Sequence, residues 1–519
     1  MHRKNPNRRE FLKTAAAGGI AGMSGLQALL WSKEAAAQAG GTLTIAYNAA
    51  PPAWNPNAGP SAVSPVLTSI FRSIYDPYVV QREDLSLAPG VCDRFAWNAD
   101  KSAITLRVRK GVAWHDGQPL TPQDVAWNLA RLADPKAGNP LTGIFASIKN
   151  IRVQGDQVTF DVTPWRANML ERLTFLGCYL LPPHYYDKVG KEGFEKAPMG
   201  SGPYVFDQFE RGSFLRLKAN RKYWAGAPAF DTVVFKFTTD AASRIAEIER
   251  GSSDMTLDMP WEEYDRLKKK PGLVGAASPV TDIAMIFVNN VGPFSDPNVR
   301  RAAAHAINKK LIVERIQRGY AKAIDTLLAP QYKGYDPSIT VPYDPQFAAQ
   351  LLQRSGFSKD KPVEFTIQTT RGFKPKDYET VQAIVEMWRT VGIKANIEVY
   401  EIAKHFELRT QHKLAPAAFY NWGNSTADPE SSLGSAMLSK SPHSSWKGGE
   451  VDAMLEALFV QKDEAKRMAG YKELNRKIAD EAYVIPLFQV YQPVVWKSSL
   501  SFKPHLAGFV LPYAVKRAK

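Results

Sequence analysis

Ile104-Thr-Leu-Arg-Val-Arg-Lys-Gly111, followed by Trp114-His-Asp-Gly-Gln-Pro-Leu-Thr-Pro-Gln-Asp-Val125, is the part of the sequence that decides the fold. In the first segment apolar and polar residues alternate, which is typical of a half-buried strand. In the second, Asp116-Gly117 has turn chemistry, because glycine takes positive φ without steric cost. Thr121 can cap a helix whose first turn holds Pro122, and Asp134-Pro135 can end it. The sequence predicts a strand, a turn and a capped helix.

Two further motifs precede this stretch in a fixed order. Tyr75-Asp76-Pro77 comes first and Leu87-Ala88-Pro89 follows it. Gly200-Ser-Gly-Pro-Tyr204 comes after the helix. Together these motifs resemble the extracytoplasmic solute-binding proteins of ABC transporters, and most closely the dipeptide/oligopeptide-binding family (family 5).

The resemblance covers nearly the whole chain and implies an α/β, two-lobed periplasmic-binding-protein fold of class II, similar to cluster C, with an extra subdomain inserted in the first lobe. Strand–helix–strand order after residue 360 also indicates a mixed α/β lobe. The implied division is 40–75, 198–281 and 488–519 for lobe I, 76–197 for the extra subdomain, and 282–487 for lobe II.

The amino terminus resembles a twin-arginine export signal. Asn7-Arg-Arg-Glu-Phe-Leu-Lys13 carries the paired arginines, and a glycine-interrupted apolar run follows that is too short for a membrane span. Small residues allow cleavage after Ala37 or Ala39, so that 1–39 is a signal peptide at its longest. We therefore expect a soluble protein exported to the periplasm by the twin-arginine pathway.

Composition argues against nucleic acid as a partner. The chain of 519 residues has a net charge of +15, of which the first 39 residues carry +4. The remaining basic residues are dispersed, and Lys268-Lys-Lys270 is the longest pure run. Dispersed charge is typical of a solvated surface, whereas nucleic-acid binding needs a clustered patch. We expect a monomer that binds no nucleic acid.

The two cysteines, Cys92 and Cys178, lack metal-ligand spacing. An oxidising compartment would permit a disulfide between them. Their distance in sequence leaves open whether they form that bond or remain two buried thiols.

The ligand's amine anchor is the point where the sequence departs from the peptide-binding members of the family. Those members hold a ligand ammonium with an aspartate three residues after a tryptophan, in a stretch that ends in proline. Here the stretch is Trp422-Gly-Asn424-Ser425-Thr-Ala-Asp428-Pro429, with Ser425 at the anchoring position. A neutral hydroxyl cannot supply the charge–charge attraction, and Asp428 is the alternative anchor.

A carboxylate anchor is still present. Dipeptide binders of the family use an arginine four residues before a proline, and Arg371-Gly-Phe373-Lys-Pro375 fits that pattern. A guanidinium can hold a carboxylate through two parallel hydrogen bonds, although a loop salt bridge is the alternative role for Arg371. Trp54, Phe373 and Trp422 could stack on sugar rings or peptide side chains, with core packing as the alternative for Trp54.

The residues thus predict a binding protein and no enzyme. The sequence has no Gly-x-Ser-x-Gly elbow, no His-Glu-x-x-His and no phosphate-binding loop, and we expect no catalytic residues, metal or cofactor. His115 is expected to make a structural hydrogen bond. The resemblance implies a small-molecule ligand (peptide-like, opine-like or an oligosaccharide) and an inner-membrane ABC permease. The alternatives are an ordinary di- or oligopeptide binder with a relocated amine anchor, and a secreted hydrolase.

Overall fold

The computed structural model describes residues 40–174, 176–423, 426–441, 444 and 446–519. The strands, in chain order, are β1 Thr42–Tyr47, β2 Val80–Gln81, β3 Leu87–Ala88, β4 Cys92–Trp97, β5 Ala103–Val108, β6 Ile148–Gln154, β7 Gln157–Val162, β8 Tyr204–Glu210, β9 Phe214–Ala219, β10 Thr232–Phe237, β11 Met255–Leu257, β12 Leu273–Val288, β13 Ala321–Ala323, β14 Val363–Thr369, β15 Ile393–Val399, β16 Ala417–Trp422, β17 Val484–Lys497, β18 Leu500–Ser501 and β19 Lys516–Arg517.

The α-helices of the described residues vary from single turns to more than four turns. They are α1 Thr68–Ile74, α2 Pro122–Ala133, α3 Thr142–Phe145, α4 Met169–Arg172, α5 Pro183–Lys196, α6 Ala241–Glu249, α7 Trp261–Leu267, α8 Pro297–His305, α9 Lys309–Leu311, α10 Pro345–Arg354, α11 Asp377–Arg389, α12 Ile402–Thr410, α13 Ser435–Met437, α14 Gly449–Phe459 and α15 Glu464–Asp480. None of the described helices is both long and apolar enough to cross a bilayer.

Two long antiparallel strands, β12 and β17, join the two lobes. The strand order of the large sheet is β15-β14-β16-β12-β17-β11-β1-β10-β9-β8. The second-lobe strands β14–β16 therefore lie on the β12 side of the ribbon, and the first-lobe strands lie on the β17 side. Pairing within the ribbon is irregular between Pro279 and Ile283. An interrupted ladder bends more easily than a continuous one, so this break is the natural hinge.

Each lobe has its own hydrophobic core. Residues of β1 and β8–β11 pack in one cluster with Phe71 and Tyr75. In the second lobe successive residues of β12 enter different clusters: Ile286 packs with Trp388 and α11, whereas Met285 packs with Leu455 and Tyr471. Residues 283–288 of β12 are therefore buried on both faces, as their continuous apolar sequence predicts.

The stretch from Ile104 to Val125 folds as expected. Ile104, Leu106 and Val108 on β5 are buried. Thr121 and Asp124 form a reciprocal capping box at the start of α2, in which each side chain accepts the other residue's backbone N–H. The strand and helix pack in a core of residues 78–180, built on the small sheet β4-β5-β7-β6.

Both cysteines lie in that small core as free thiols. The extended segment 76–78 runs between them, because Leu180 N–H donates to Asp76 O and Cys92 N–H donates to Tyr78 O. Of the two possibilities the sequence left open, the structure has two buried thiols.

Asn308, as a cap, and the apolar residues Leu311, Ile312 and Ile316 predict a helix that runs to Gly319. Asn308 caps a helical segment as predicted, but the α-helix ends at Leu311 and a wider π-turn, Ile312–Ile316, replaces its continuation. The π-turn leads to Gln317, which accepts a hydrogen bond from Trp261 Nε1 at 2.8 Å and donates to Thr380 Oγ1 at 3.1 Å. Residues distant in sequence therefore decide where this helix ends.

Candidate functional site

The carboxyl ends of parallel strands from the two lobes face one another. In the first lobe β1 runs parallel to β10 and β11, and in the second β14 runs parallel to β15 and β16. Ligands of α/β sheets bind outside the carboxyl ends of parallel strands. The candidate site is therefore the cleft between the loops that follow these strands.

Lys374, in the loop after β14, lies near one carboxylate from each side of the cleft, Asp258 and Asp282. Its Nζ lies 3.7 Å from Asp282 Oδ2 on β12, and its side chain is 16 % exposed. Burial lowers the pKa of Lys374, but the carboxylates of Asp258 and Asp282 raise it by more, and the net pKa lies above its usual value. The ammonium of Lys374 therefore remains charged and attracts Asp258 of the first lobe and Asp282 of the second.

Asp258 follows β11 and is fixed from the first-lobe side. Asn48 Nδ2 donates to its Oδ2 at 3.0 Å, and Arg244 Nη2 donates to its backbone carbonyl at 2.8 Å. Its φ of +52° is uncommon for a residue other than glycine, and such conformations persist where the surroundings determine them. Asp258 is thus a positioned carboxylate at the cleft.

Aromatic rings form the second-lobe side of the cleft. Tyr420 on β16 stacks on His405 of α12 at a ring-centroid distance of 4.5 Å, and Phe373 lies parallel to it at 6.4 Å. Trp422, at the end of β16, is 8 % exposed and meets Phe287 edge-on at 6.0 Å. Phe373 and Trp422, both predicted as ligand contacts, therefore belong to one aromatic group.

The predicted carboxylate anchor, Arg371, lies in the exposed loop after β14. Its guanidinium carbon is 3.8 Å from the centre of the Tyr378 ring. Among the described residues no carboxylate lies within ion-pair distance of Arg371, and its role as the carboxylate anchor stays a prediction. Asn424 and Ser425 lie outside the described residues, between Gly423 and Thr426.

Trp54 lies in the first-lobe core rather than on the cleft wall. It is 5 % exposed, its ring meets Phe206 and Phe209 edge-on, and its backbone N–H donates to Glu195. Asp428 is also engaged elsewhere: it is 6 % exposed and ion-paired with Arg467 of α15. Core packing is the described environment of Trp54, and an internal ion pair is that of Asp428. Ligand contact by either residue stays a prediction.

Sequence reasoning missed Asp258, Asp282, Lys374 and Arg409. Arg409 on α12 is 5 % exposed, and within the described part of the chain its Nε has no hydrogen-bond partner. Burial lowers the pKa of Arg409, with Tyr420 acting in the opposite direction. A signal was present, because His405 and Arg409 are four residues apart and therefore share one face of a helix.

A second group of contacts joins the 76–197 segment to the second lobe. Arg172 Nη2 of α4 and Arg166 Nη1 lie 3.4 Å and 3.7 Å from Glu430 Oε1. Asn168 Nδ2 lies 3.3 Å from Ser431 Oγ. The core of residues 78–180 thus contacts the second lobe directly.

No group of three His, Cys, Asp or Glu side chains within the described residues is arranged to hold a metal ion. His115 makes the structural bonds expected of it: its Nε2 lies 3.0 Å from Gly202 O, and Gly200 N–H donates to its Nδ1 at 3.3 Å. The His115 ring therefore joins the Trp114–Val125 stretch to the Gly200–Tyr204 motif.

Comparisons with known proteins agree with this geometry. The model of "Bacterial extracellular solute-binding proteins, family 5 Middle" matches residues 86–443. Heme-binding protein A of Haemophilus influenzae is 25 % identical over 446 residues, which is 80 % of this chain and 81 % of the relative. Di/tripeptide-binding protein 2 of Pseudomonas aeruginosa is 27 % identical over 434 residues, covering 78 % and 81 % of the two chains.

A solved structure confirms the predicted two-lobed fold. The dipeptide-binding protein of Pseudoalteromonas sp. SM9913, in complex with Met-Leu, superposes with a TM-score of 0.84 at 20 % identity, over 92 % of this chain and all of the other. The cleft between two lobes and the family match over more than half of the sequence together assign the chain to a family. The chain belongs to family 5 of the bacterial extracellular solute-binding proteins, which capture small ligands for ABC importers.

Proposed function

We propose that this protein captures, in the periplasm, a small acidic or oxygen-rich ligand that needs no free α-amine. N-blocked or modified peptides, opine-like conjugates of a sugar and an amino acid, and oligosaccharides meet this description. Residues 1–39 act as a twin-arginine signal, and the mature protein works as a monomer that delivers its ligand to an inner-membrane permease.

The observation that carries the proposal is the serine at position 425. The stretch from Trp422 to Pro429 follows β16, whose carboxyl end borders the cleft. An ammonium enclosed by closing lobes needs a negative partner, since an unpaired buried charge is costly. Ser425 supplies no charge, whereas Arg371 on the neighbouring loop offers a cation to a ligand carboxylate.

The two lobes close on the ligand as two rigid bodies. Segments 40–75, 198–281 and 488–519 act as one body, carrying the 76–197 subdomain, and 282–487 acts as the other. Ligand contacts to both bodies stabilise the closed state in proportion to the ligand's preference for that state. The permease then receives the closed, loaded form.

A thermal-shift screen of the chain from Gly40 tests the ligand class. It compares free di- and tripeptides with N-acetylated peptides, opine-like conjugates and oligosaccharides. Ligand at a hundred times its dissociation constant adds about 2.7 kcal/mol of stability, which raises the melting temperature measurably. We expect shifts from compounds without a free amine, and a strong shift from free dipeptides alone would refute the proposal.

Ser425→Asp is the sharper test of the same point. A carboxylate at this position should improve the affinity for a free dipeptide such as Met-Leu by about ten- to a hundredfold, because it restores a charge-assisted hydrogen bond to the ammonium. Ser425→Asn, which is similar in size and uncharged, is the matched control, and isothermal titration calorimetry gives the affinities. Equal affinities for the two variants would show that residue 425 does not face the ligand amine.

A relocated amine anchor is the second candidate, and one observation favours it. Asp258 and Asp282 are two carboxylates at the cleft that share the single ammonium of Lys374. A ligand ammonium could take the place of a second cation there. If free dipeptides bind, Asp282→Asn should weaken them, whereas binding of N-acetylated peptides should not change.

A further inference from the structure

Arg409 is a buried cation for which the described part of the chain supplies no carboxylate within ion-pair distance. Only 5 % of the residue is exposed, and its Nε has no hydrogen-bond partner among the described residues. Buried charges in proteins are normally paired and hydrogen-bonded, because removal from water is costly. Arg409 therefore has unused capacity to bind an anion.

The groups around Arg409 are rings. Its guanidinium carbon lies 5.0 Å, 5.2 Å and 5.5 Å from the ring centres of Phe406, Tyr420 and Trp422. Cation–π attraction offsets part of the desolvation, and the Tyr420 hydroxyl makes a hydrogen bond with the guanidinium. Neither supplies the pair of in-plane oxygen acceptors that a guanidinium fork prefers. The ring environment thus selects for a flat anionic group and excludes bulk water.

His405 adds a second unpartnered group to the same place. His405 is 1 % exposed and its ring stacks on Tyr420, and no described residue is a hydrogen-bond partner of its Nε2. Burial, and then the charge of Arg409, lower the pKa of His405 to about 3, so the ring is neutral. A neutral imidazole can donate one hydrogen bond without adding charge.

Resting on the function proposed above, we propose that Arg409, with Tyr420 and His405, forms a carboxylate-binding subsite in the second lobe. Lys374 is not the group that takes this carboxylate, because Asp258 and Asp282 already balance its charge. Arg371 lies in the loop after β14 and Arg409 lies on α12, both in the second lobe. Two separate guanidinium groups suit a ligand with two acidic groups. The ligand class narrows accordingly to dicarboxylates, such as conjugates of an acidic amino acid.

Acetate is the probe for this subsite, and thermal unfolding of the chain from Gly40 is the measurement. Wild type and Arg409→Met are melted in sodium acetate and in sodium chloride of equal ionic strength. We expect acetate to raise the melting temperature of the wild type by several degrees more than that of R409M, because only the wild type offers the guanidinium. The comparison between variants cancels the general effect of the salt on stability.

Arg244→Met is the matched control for a structural arginine. Arg244 is 1 % exposed, and its Nε also lacks a described partner. Its Nη1 and Nη2, however, donate to the carbonyls of Thr238, Thr239 and Asp258 at 2.7–2.9 Å. R244M should melt well below the wild type in both salts, whereas R409M in chloride should melt at or above it. If R409M fails to fold, Arg409→Lys keeps the charge without the fork and should give a smaller acetate response.

An acetate response in R409M equal to that of the wild type would overturn the subsite, and so would destabilisation of R409M matching that of R244M. Either result is separate from the compound screen. The screen can fail while acetate still acts through Arg409, and the screen can succeed while acetate has no effect.

Discussion

His115 shows how a single side chain can couple acid to stability. Its Nδ1 accepts from Gly200 N–H, and protonation of Nδ1 removes that acceptor. Burial lowers the pKa of His115 to about 4. A group whose folded pKa is depressed contributes stability that is present above its unfolded pKa, here 6.5, and is lost as the pH falls from there through 4.

We expect His115→Gln to reduce the pH dependence of unfolding. Between pH 7 and pH 4 the free energy of unfolding of the wild type should fall by up to about 3 kcal/mol more than that of the variant. Urea unfolding at both pH values gives the two differences. Identical pH profiles would mean that His115 titrates alike in the folded and unfolded chains.

Residues whose partners are local could be predicted from the sequence, and residues with distant partners could not. Thr121 caps α2 through Asp124, three residues away, and both roles follow from spacing. Asp428 pairs instead with Arg467, and Trp54 packs on Phe206. Nothing in the sequence near Asp428 or Trp54 distinguishes such tertiary contacts from contacts with a ligand.

At the scale of elements, periodicity identified strands and helices but not their full lengths. The apolar run that starts at Ile283 predicted a strand, whereas β12 begins at Leu273 and continues through Pro279. Proline and polar residues interrupt the apolar pattern in just those parts that cross between lobes, where each residue contacts two environments. The cleft residues escaped notice for a related reason: Asp258 and Lys374 follow strands, and Asp282 lies in the register break of β12, where no periodic pattern holds.

The loop that carries Lys374 is expected to set the closing equilibrium. Lys374→Met leaves Asp258 and Asp282 without their shared cation, and removal of one partner of a buried ion pair costs about 3 kcal/mol. The ligand-free variant should therefore shift towards the open form and show a larger radius of gyration by small-angle X-ray scattering.

Lys394→Met is the control for Lys374→Met. Lys394 pairs with Glu364 at 2.9 Å, but both side chains are more than half exposed, and exposed pairs contribute little. Its radius of gyration should equal that of the wild type. A wild-type value for K374M as well would show that Lys374 does not hold the lobes together.

At the scale of the whole molecule, two separate contacts hold the lobes together. One is made by Lys374, and the other, here called the rim contact, joins the 76–197 segment to the second lobe. The rim contact is made by Arg172 and Glu430. We expect Arg172→Met to lower the affinity for whichever screened compound binds best by about tenfold, equivalent to 1.4 kcal/mol. The loss should appear as faster dissociation in stopped-flow tryptophan fluorescence, because the rim contact forms only in the closed state.

Arg131→Met is the matched control for the rim prediction. Arg131 stacks on Trp127 and Tyr186, both within residues 76–197, so its loss should leave the dissociation rate unchanged. If R172M and R131M release ligand at the same rate as the wild type, the rim contact plays no part in ligand retention.

The pairing of β17 also decides when the protein can fold. β11 lies between β1 and β17 in the sheet, so the first lobe needs residues 494–496 to complete its sheet. During synthesis β11 keeps an unpaired edge until most of the chain has emerged, and contacts between such distant residues form slowly. The lobe that begins the chain is therefore among the last parts to reach its native structure, and a partly synthesised chain depends on protection from aggregation until that point.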